Sequence, residues 1–304
     1  MAKNSSNKTI AIMGASGFVG RHLTDYLLQF TTHNLRLLST HANEMEIQQQ
    51  YVQRVTKISL SIFQEQEVER ALEGCDVAYY LVHMMAKRKG SMYKLEARAA
   101  TEFGNAAAKA GLGRIIFLGG LGSDADKLSK HLKSRHNTGR ILAEHVPSLI
   151  EFRASMVIGA GSISYDIVKS LVRNLPVQTM PKWAVTKTQP IALHDLLQYL
   201  AAALELRRHR GHEIIEIGGD KQLSYKEIVQ LYATSIGKRP HIVVVPVLPL
   251  WIGAFWLNLF TSREHAKVGR PMVESLSNPM VVTNNRAKEL FPDIVPGPIE
   301  KAFN

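Results

Sequence analysis

A glycine-rich segment near the start of the chain constrains the fold most. Residues 8–24 read KTIAIMGASGFVGRHLT, in which the apolar run Ile10–Met13 is followed by Gly14, Gly17 and Gly20 and then by an amphipathic stretch. This order is typical of a β-strand, a tight turn and an α-helix whose N-terminal amides face a pyrophosphate. We therefore predict a nucleotide-binding turn, with an ordinary glycine-rich turn as the alternative.

Further apolar runs alternate with amphipathic segments along the chain. The predicted strands after the first cover 34–39, 55–60, 76–82, 114–118, 149–152 and 213–217, and the predicted helices cover 64–72, 91–110, 127–145, 196–206 and 224–236. We expect Asp195 to be the N-cap of the fourth of these helices, and Ser224 with Glu227 to form a capping box on the last. This alternation predicts an α/β fold with a Rossmann-type doubly wound parallel sheet.

Charge and cysteine content narrow the classes of function. The formal net charge of the 304 residues is +11, but the basic residues are dispersed and accompany no nucleic-acid-binding motif. We therefore expect solvated basic faces and attraction for an anionic cofactor, with no nucleic acid as partner. The single cysteine, Cys75, forms no CxxC pattern, no metal constellation is evident, and the start MAKNSSNK lacks a signal-peptide core. These features predict a cytoplasmic protein without a bound metal.

The end of the second predicted strand bears on cofactor choice. An acidic residue there would hydrogen-bond an adenosine ribose, whereas small or basic residues leave room for a 2′-phosphate. This chain has Ser39, Thr40 and His41 at that point, and Arg21 follows the last glycine of the turn. We therefore favour NADP(H) over NAD(H), although Glu44 could fold back and reverse the preference.

Several motifs together resemble one enzyme superfamily. They are GASGFVG, DVAYYLVH, RIIFLGGLGS, HLKSRHNTGRILAE, EFRASMVIGAGS and QPIALHDL. The chain is similar to the atypical, extended short-chain dehydrogenase/reductases, and most similar to the YbjT-like NAD(P)-binding group. The resemblance covers nearly the whole chain, most strongly residues 8–220. It implies a single NAD(P)-binding domain over 1–304, with a smaller substrate lobe from about 155–190 and 220–304.

The resemblance also defines where catalytic residues are expected. Catalytic members carry a Ser after the fifth strand and a Tyr-x-x-x-Lys pair on the next helix. Here the serine position is Gly119 or Gly120, and alignment on Glu144 puts His136 and Arg140 at the Tyr and Lys positions. These two are weak catalytic candidates, and for His136 an exposed structural role is the alternative. The string Tyr165–Lys169 lies one crossover too late and is interpreted as a coincidence.

The predicted cofactor contacts combine the glycine turn with the ends of three strands. In a doubly wound sheet the carboxyl ends of the first and fourth strands meet at the crevice where the strand order reverses. His83 is the least certain contact, since a lone histidine is more often structural. The full set is Gly14, Ala15, Ser16, Gly17, Phe18, Val19, Gly20, Arg21, Ser39, Thr40, Leu81, Val82, His83, Gly119 and Arg140.

Two functions are compatible with these features. The first is an NADP-preferring oxidoreductase acting on an apolar or quinone-like small molecule. The second is a non-catalytic NADP(H)-binding redox sensor or assembly factor, which the absence of Tyr-x-x-x-Lys at the expected place favours.

An uncharged stretch near the C-terminus is the second informative feature. Residues 243–260 (VVVPVLPLWIGAFWLNLF) contain two prolines that leave about twelve residues for a helix, about 18 Å, against a bilayer core of about 30 Å. The stretch is therefore too short to cross a membrane. A buried helix, a lid over an apolar substrate, a homodimer face and a membrane-surface contact all stay open.

Overall fold

A computed structural model of the chain describes residues 7–84, 92–124, 126–174, 177–206, 210–245 and 276–303. The first half contains β1 (Thr9–Met13), α1 (Phe18–Phe30), β2 (Asn34–Ser39), β3 (Val55–Ser59), α2 (Glu65–Leu72), β4 (Val77–Tyr80), α3 (Met92–Lys109), β5 (Ile115–Gly120), α4 (Lys130–Ala143) and β6 (Ser148–Ala154). The second half contains β7 (Val157–Ile158), α5 (Ile163–Asn174), β8 (Val177–Pro181), β9 (Lys187–Thr188), β10 (Ile191–Ala192), α6 (Leu193–Ala202), β11 (Gly211–Ile217), β12 (Leu223–Ser224), α7 (Tyr225–Ser235), β13 (His241–Val245) and α8 (Arg286–Leu290).

The central sheet is parallel in every strand pair. Its seven strands lie in the order β3-β2-β1-β4-β5-β6-β11. From β1 the chain first builds outward through β2 and β3, then returns to place β4 on the other side of β1. This order confirms the predicted Rossmann-type doubly wound sheet. The crevice at the carboxyl ends of β1 and β4 is where such sheets bind ligands.

Both faces of the sheet are buried at its centre, which explains why β1 and β4 are continuous apolar runs. In β1, Ile10 and Ile12 pack in the cluster that contains the buried faces of α1 and α6. Ala11 and Met13 pack in the cluster that contains the buried face of α3. Successive residues of one strand therefore belong to opposite layers, as the two-residue period of a strand requires.

Helix ends follow local capping that the hydrophobic pattern alone does not show. The predicted helix 127–145 is α4, which begins at Lys130 because the Ser129 side chain accepts a hydrogen bond from the Leu132 amide at 3.2 Å. The predicted capping box of Ser224 and Glu227 is present at the start of α7. The remaining predicted strands and helices are present, with ends that differ by a few residues.

The prediction that Asp195 caps α6 is wrong. The helix starts directly after β10, with Ala192 as its N-cap, and Asp195 is its third residue. The chain enters α6 from a strand that pairs with β7, so the helix begins earlier than the apolar pattern indicated. The Asp195 carboxylate instead accepts a hydrogen bond from the Gly297 amide at 3.0 Å and joins the C-terminal segment to the helix.

The region predicted as the substrate lobe contains a hydrophobic cluster of its own. Residues of α5, α7 and the segment 276–303 contribute to it, together with Leu128 and Leu132 from the side of α4. Its centre is a group of three aromatic rings, with the Tyr165 ring 5.6 Å from that of Tyr232 and 6.0 Å from that of Phe303. The last residues of the described chain therefore pack back against α5 and α7.

The uncharged stretch 243–260 is described only at its beginning. Val243–Val245 belong to β13, which pairs in parallel with β8. Residues 246–260 lie outside the described residues, so the alternatives for this stretch stay predictions. Among the helices that the structure describes, none is long and apolar enough to cross a membrane.

Candidate functional site

A cleft of about 590 Å³ lies at the carboxyl edge of the sheet, where the ends of β1, β2, β4, β5 and β6 meet the start of α1. Its lining includes twelve of the predicted cofactor contacts, namely Gly14, Ser16, Gly17, Phe18, Val19, Gly20, Ser39, Thr40, Leu81, Val82, His83 and Gly119. Ala15, Arg21 and Arg140 are not among the described lining residues. Ala15 is fully buried behind the turn.

The glycine turn is held in one conformation by its packing. Gly14 has φ +91°, a value that L side chains rarely adopt, and its amide donates to the Leu38 carbonyl at 2.8 Å. A Cβ at Gly20 would overlap the carbonyl oxygens of Gly14 and Ala15, so only glycine lets α1 approach β1 this closely. No side chain caps α1 at Gly17. The free amides of its first turn therefore fit the pyrophosphate of a dinucleotide.

Hydroxyl groups rather than carboxylates occupy the end of β2. Ser39 and Thr40 line the cleft, and Ser39 Oγ accepts a hydrogen bond from the His41 amide at 3.1 Å. The Glu44 carboxylate lies 3.1 Å from His41 Nδ1 with three quarters of its side chain exposed, and it is not among the described lining residues. No carboxylate among the described residues therefore lines this end of the cleft.

Backbone rather than side chain forms the floor at the other end. Gly119 and Gly120, which stand where the resemblance expects a serine, both line the cleft. Leu118, Ala154, Val157 and Ile163 add small or apolar surface beside them. This end of the cleft can therefore accept a flat, apolar group.

Two residues of α4 that were not among the predicted site residues line the cleft. They are His131 and Arg135, four positions apart as in Tyr-x-x-x-Lys, but five positions before the pair that alignment on Glu144 indicated. Residues four apart share one helix face. The same spacing was visible in the sequence, but only the tertiary structure shows which turn of α4 faces the cleft.

His131 is paired with His83. Their Nε2 atoms lie 3.0 Å apart, and the rings are tilted with centroids 5.1 Å apart. Oε1 of the buried Glu96 lies 3.5 Å from His83 Nε2. Desolvation, followed by the positive charge of Arg135, lowers the pKa of His131 to about 4. The same causes, together with His131, hold the pKa of His83 well below its ordinary value. Both imidazoles are therefore uncharged at neutral pH.

Arg135 is fixed by backbone and by Glu96. Its guanidinium donates to the Leu118 carbonyl at 2.6 Å and to the Val82 carbonyl at 3.1 Å, and Nη1 lies 3.5 Å from Glu96 Oε1. Glu96 also accepts from the Ser134 hydroxyl at 2.5 Å. Arg135 thus joins the carboxyl ends of β4 and β5 to α3 and α4. These contacts fix the position of its guanidinium beside the histidine pair.

The predicted pair His136 and Arg140 lies on a different face of α4. The expectation that His136 is exposed is wrong: it is buried, with Nδ1 2.7 Å from Asp124 Oδ1 and Nε2 3.0 Å from the Gly120 carbonyl. Arg140 is exposed and donates to Asp124 at 3.2 Å. Both line a second cavity of about 370 Å³ with Tyr93 and Lys133. Burial raises the pKa of Asp124, but His136 and Arg153 outweigh it and lower that pKa overall.

The Tyr165–Lys169 string lies on α5. The Tyr165 hydroxyl donates to the Phe303 carbonyl at 2.6 Å, and Lys169 lies over the Tyr165 ring and 3.5 Å from Asp166. Neither residue is among the described lining of the cleft. In the described ranges, no group of three or more His, Cys, Asp or Glu could hold a metal ion.

The comparison with known protein families agrees with this geometry. Residues 14–157, which run from the glycine turn to the start of β7, match the family described as NAD(P)H-binding. The match confirms the predicted resemblance as far as NAD(P)H binding. No curated protein matches the chain in sequence.

Solved structures of low sequence identity share the fold over nearly the whole chain. A nucleoside-diphosphate-sugar epimerase from Staphylococcus aureus is 15% identical with a TM-score of 0.73, covering 97% of this chain and 99% of its own. The triphenylmethane reductase of Citrobacter sp. complexed with NADP(H) is 12% identical with a TM-score of 0.73, covering 97% and 98%. UDP-glucuronic acid 4-epimerase from Bacillus cereus in complex with NAD is 16% identical with a TM-score of 0.64, covering 93% and 99%.

Proposed function

We propose that the protein is an NADP(H)-preferring oxidoreductase that reduces an apolar or quinone-like acceptor. The observation that carries the proposal is one continuous cleft, which runs from the glycine turn to the backbone floor at Gly119 and Gly120. A dinucleotide bound along it would have its phosphates at the amides of α1 and its nicotinamide over that floor. A bound nicotinamide cofactor would supply the hydride, and the chain would bind and orient the acceptor.

The end of β2 supports the choice of NADP(H). Ser39 and Thr40 can donate hydrogen bonds to a 2′-phosphate, whereas a carboxylate in their place would repel it. Glu44, the acidic residue that could have reversed the preference, is paired with His41 and exposed to solvent. The net charge of +11 also favours the more anionic cofactor.

The lining beside the floor supports an apolar acceptor. Leu118, Val157 and Ile163 present aliphatic surface, and the small Ala154 lies in the same lining, which also contains the hydroxyls of Ser155, Ser162 and Ser164. In this proposal the substrate lobe includes the hydrophobic cluster to which α5, α7 and the segment 276–303 contribute. One structural neighbour in this fold class is named as a reductase of triphenylmethane dyes, which are large aromatic acceptors.

The test has a binding arm and a turnover arm. Calorimetry with the purified chain is expected to give NADPH an affinity about tenfold or more above that of NADH, about 1.4 kcal/mol. Absorbance of NADPH is then followed with two probes, the quinone menadione and the cationic dye crystal violet. Oxidation with either probe supports the proposal, and tight NADPH binding without oxidation by these or other carbonyl and enone acceptors overturns it.

A second function, a non-catalytic NADP(H) sensor, is favoured by one observation. No tyrosine is among the described residues that line the cleft, and the Tyr165 hydroxyl is engaged by Phe303. A sensor would bind NADPH and NADP⁺ without turnover, and the two forms would differ in their effect on a partner. Sedimentation with phosphatidylglycerol vesicles in the presence of each form tests the membrane version of this function.

A further inference from the structure

The histidine pair beside Arg135 is a polar feature of the cleft to which the proposed function has so far given no role. His131 and His83 come from different elements, α4 and the segment after β4, yet their Nε2 atoms lie 3.0 Å apart at the cleft wall. Two imidazoles at this distance share one N–H, which one ring donates and the other accepts. Such a pair can pass a proton from one ring to the other without moving either side chain.

Residues around the pair hold it in this arrangement. Arg135 is tied to the carbonyls of Leu118 and Val82, and Glu96 accepts from Ser134, from the Met84 amide and from Arg135. The Met84 amide directly follows His83 in the chain, so Glu96 also fixes the backbone that carries this imidazole. The charged groups that the structure places against the pair are therefore Arg135 from α4 and Glu96 from α3.

We propose that His131, coupled to His83, supplies the proton for the reduction of a neutral acceptor, and that Arg135 and Glu96 are positioning residues for the pair. The pair would stand in the place of the tyrosine in Tyr-x-x-x-Lys, on the same face of the helix as a basic residue four positions later. This inference rests on the proposed function, because it needs NADPH as the reductant.

The chemistry of the acceptor decides whether the pair is needed. A quinone that accepts a hydride gains one hydrogen and two electrons and is left with negative charge on an oxygen. As Nδ1–H of His131 gives its proton to that oxygen, Nε2 of His131 takes the shared proton from Nε2 of His83, and His83 takes a proton from solvent at its Nδ1, so neither ring becomes an anion. The lowered pKa values keep both rings neutral, and a neutral imidazole can donate a hydrogen bond to a carbonyl oxygen in the ground state.

A cationic acceptor needs no proton. In crystal violet the hydride bonds to the central carbocation, the positive charge is cancelled, and the product is a neutral leuco dye. The two probes thus consume the same cofactor in the same cleft, but only menadione requires the histidine pair. A change in cofactor binding or hydride delivery alters the rates with both probes. A change in proton supply alters only the rate with menadione, so the ratio of the menadione rate to the dye rate reports on proton supply.

The experiment compares His131→Gln with a matched His194→Gln control. His194 is exposed on α6 and contacts Gln198, outside the described lining of the cleft. We expect His131→Gln to lower kcat for menadione by about 100-fold, within the usual range for a lost general acid, and kcat for the dye by less than about threefold. His194→Gln is expected to change neither, and NADPH affinity by calorimetry is expected to be kept in both.

A binding readout tests the pair without turnover. In histidine-selective NMR, NADP⁺ is expected to shift the imidazole signals of His131 and His83 but not that of His194. Unshifted signals for the pair under NADP⁺ saturation overturn the inference. Equal losses with both probes, or menadione turnover that survives His131→Gln, also overturn it while leaving the proposed function intact. Absence of NADPH oxidation with both probes removes the proposed function and this inference together.

Discussion

Arg153 Nε donates a hydrogen bond to Glu151 Oε1 at 2.7 Å, and both residues lie on the buried strand β6. Glu151 is fully buried, and its other oxygen lies 2.6 Å from His212 Nε2 on β11. Arg153 Nη1 also lies 3.4 Å from Asp124 Oδ2, and the other oxygen of this carboxylate lies 2.7 Å from His136 Nδ1. A chain of polar side-chain contacts therefore runs from His212 of β11 to His136 of α4 and joins the second cavity to the core.

Removing the Glu151 charge is expected to destabilise the fold. Glu151→Gln leaves the buried Arg153 without its closest anion, and we expect the free energy of unfolding to fall by about 3 kcal/mol in urea titration. Glu44→Gln is the control, because the His41–Glu44 pair is exposed on both sides and contributes about 0.5 kcal/mol or less. If the two variants lower the free energy of unfolding equally, the buried Glu151–Arg153 pair contributes no more to stability than the exposed pair.

Gly20→Ala is expected to damage the glycine turn. The new Cβ overlaps the backbone of Gly14 and Ala15, so α1 must move away from β1. Overpacking of this kind costs about 1–3 kcal/mol, and the displaced amides should weaken NADPH binding by tenfold or more in calorimetry. At Gly113 a Cβ would meet nothing within 4 Å, so Gly113→Ala should leave affinity unchanged. Unaltered affinity in Gly20→Ala would argue against a phosphate site at α1.

Thr40→Asp is expected to alter the choice between the two cofactors. A carboxylate at the end of β2 repels a 2′-phosphate and can accept hydrogen bonds from a 2′-hydroxyl. The ratio of NADPH to NADH affinity should therefore fall by about tenfold or more. Thr101→Asp introduces the same charge at an exposed position on α3 and should leave the ratio as it was. A ratio that does not change in Thr40→Asp would place the adenosine ribose elsewhere.

Acid should destabilise the fold partly through His131. Its pKa is about 4 in the folded chain against an ordinary 6.5, so between these values the unfolded chain binds a proton that the folded chain does not. Stability from this group is therefore fully present above pH 6.5 and falls as the pH drops towards 4. After allowance for solvent screening, we expect the loss to be on the order of 1–2 kcal/mol.

Urea titrations from pH 7 to pH 4 measure this loss. His131→Gln should reduce the pH dependence, whereas His194→Gln should keep it. Arg135 and Glu96, the charged neighbours of the pair, stay unchanged in both variants. A steeper acid loss in His131→Gln than in the wild type would contradict the direction of the shift.

Much of the architecture could be read from the sequence. The run Ile10–Met13 corresponds to β1 because a strand buried on both faces is continuously apolar, and Asn34–Ser39 corresponds to β2 through its buried leucines. The glycine spacing located the turn because its requirements are local, a positive φ at Gly14 and close packing at Gly20. The start of α6 was missed, since pairing of β10 with β7 rather than a capping side chain decides where that helix begins.

The sequence by itself determined the alternation of strands and helices and the glycine turn, because periodicity and glycine conformation act over a few neighbouring residues. Only the tertiary structure decided which turn of α4 faces the cleft. His131 and His136 are five residues apart on one helix, and their roles differ because the helix rotation about the sheet is set by packing against β5 and α3. The contacts of Arg135 with Leu118 and Val82 and of His131 with His83 join residues far apart in the chain. No local pattern encodes such contacts.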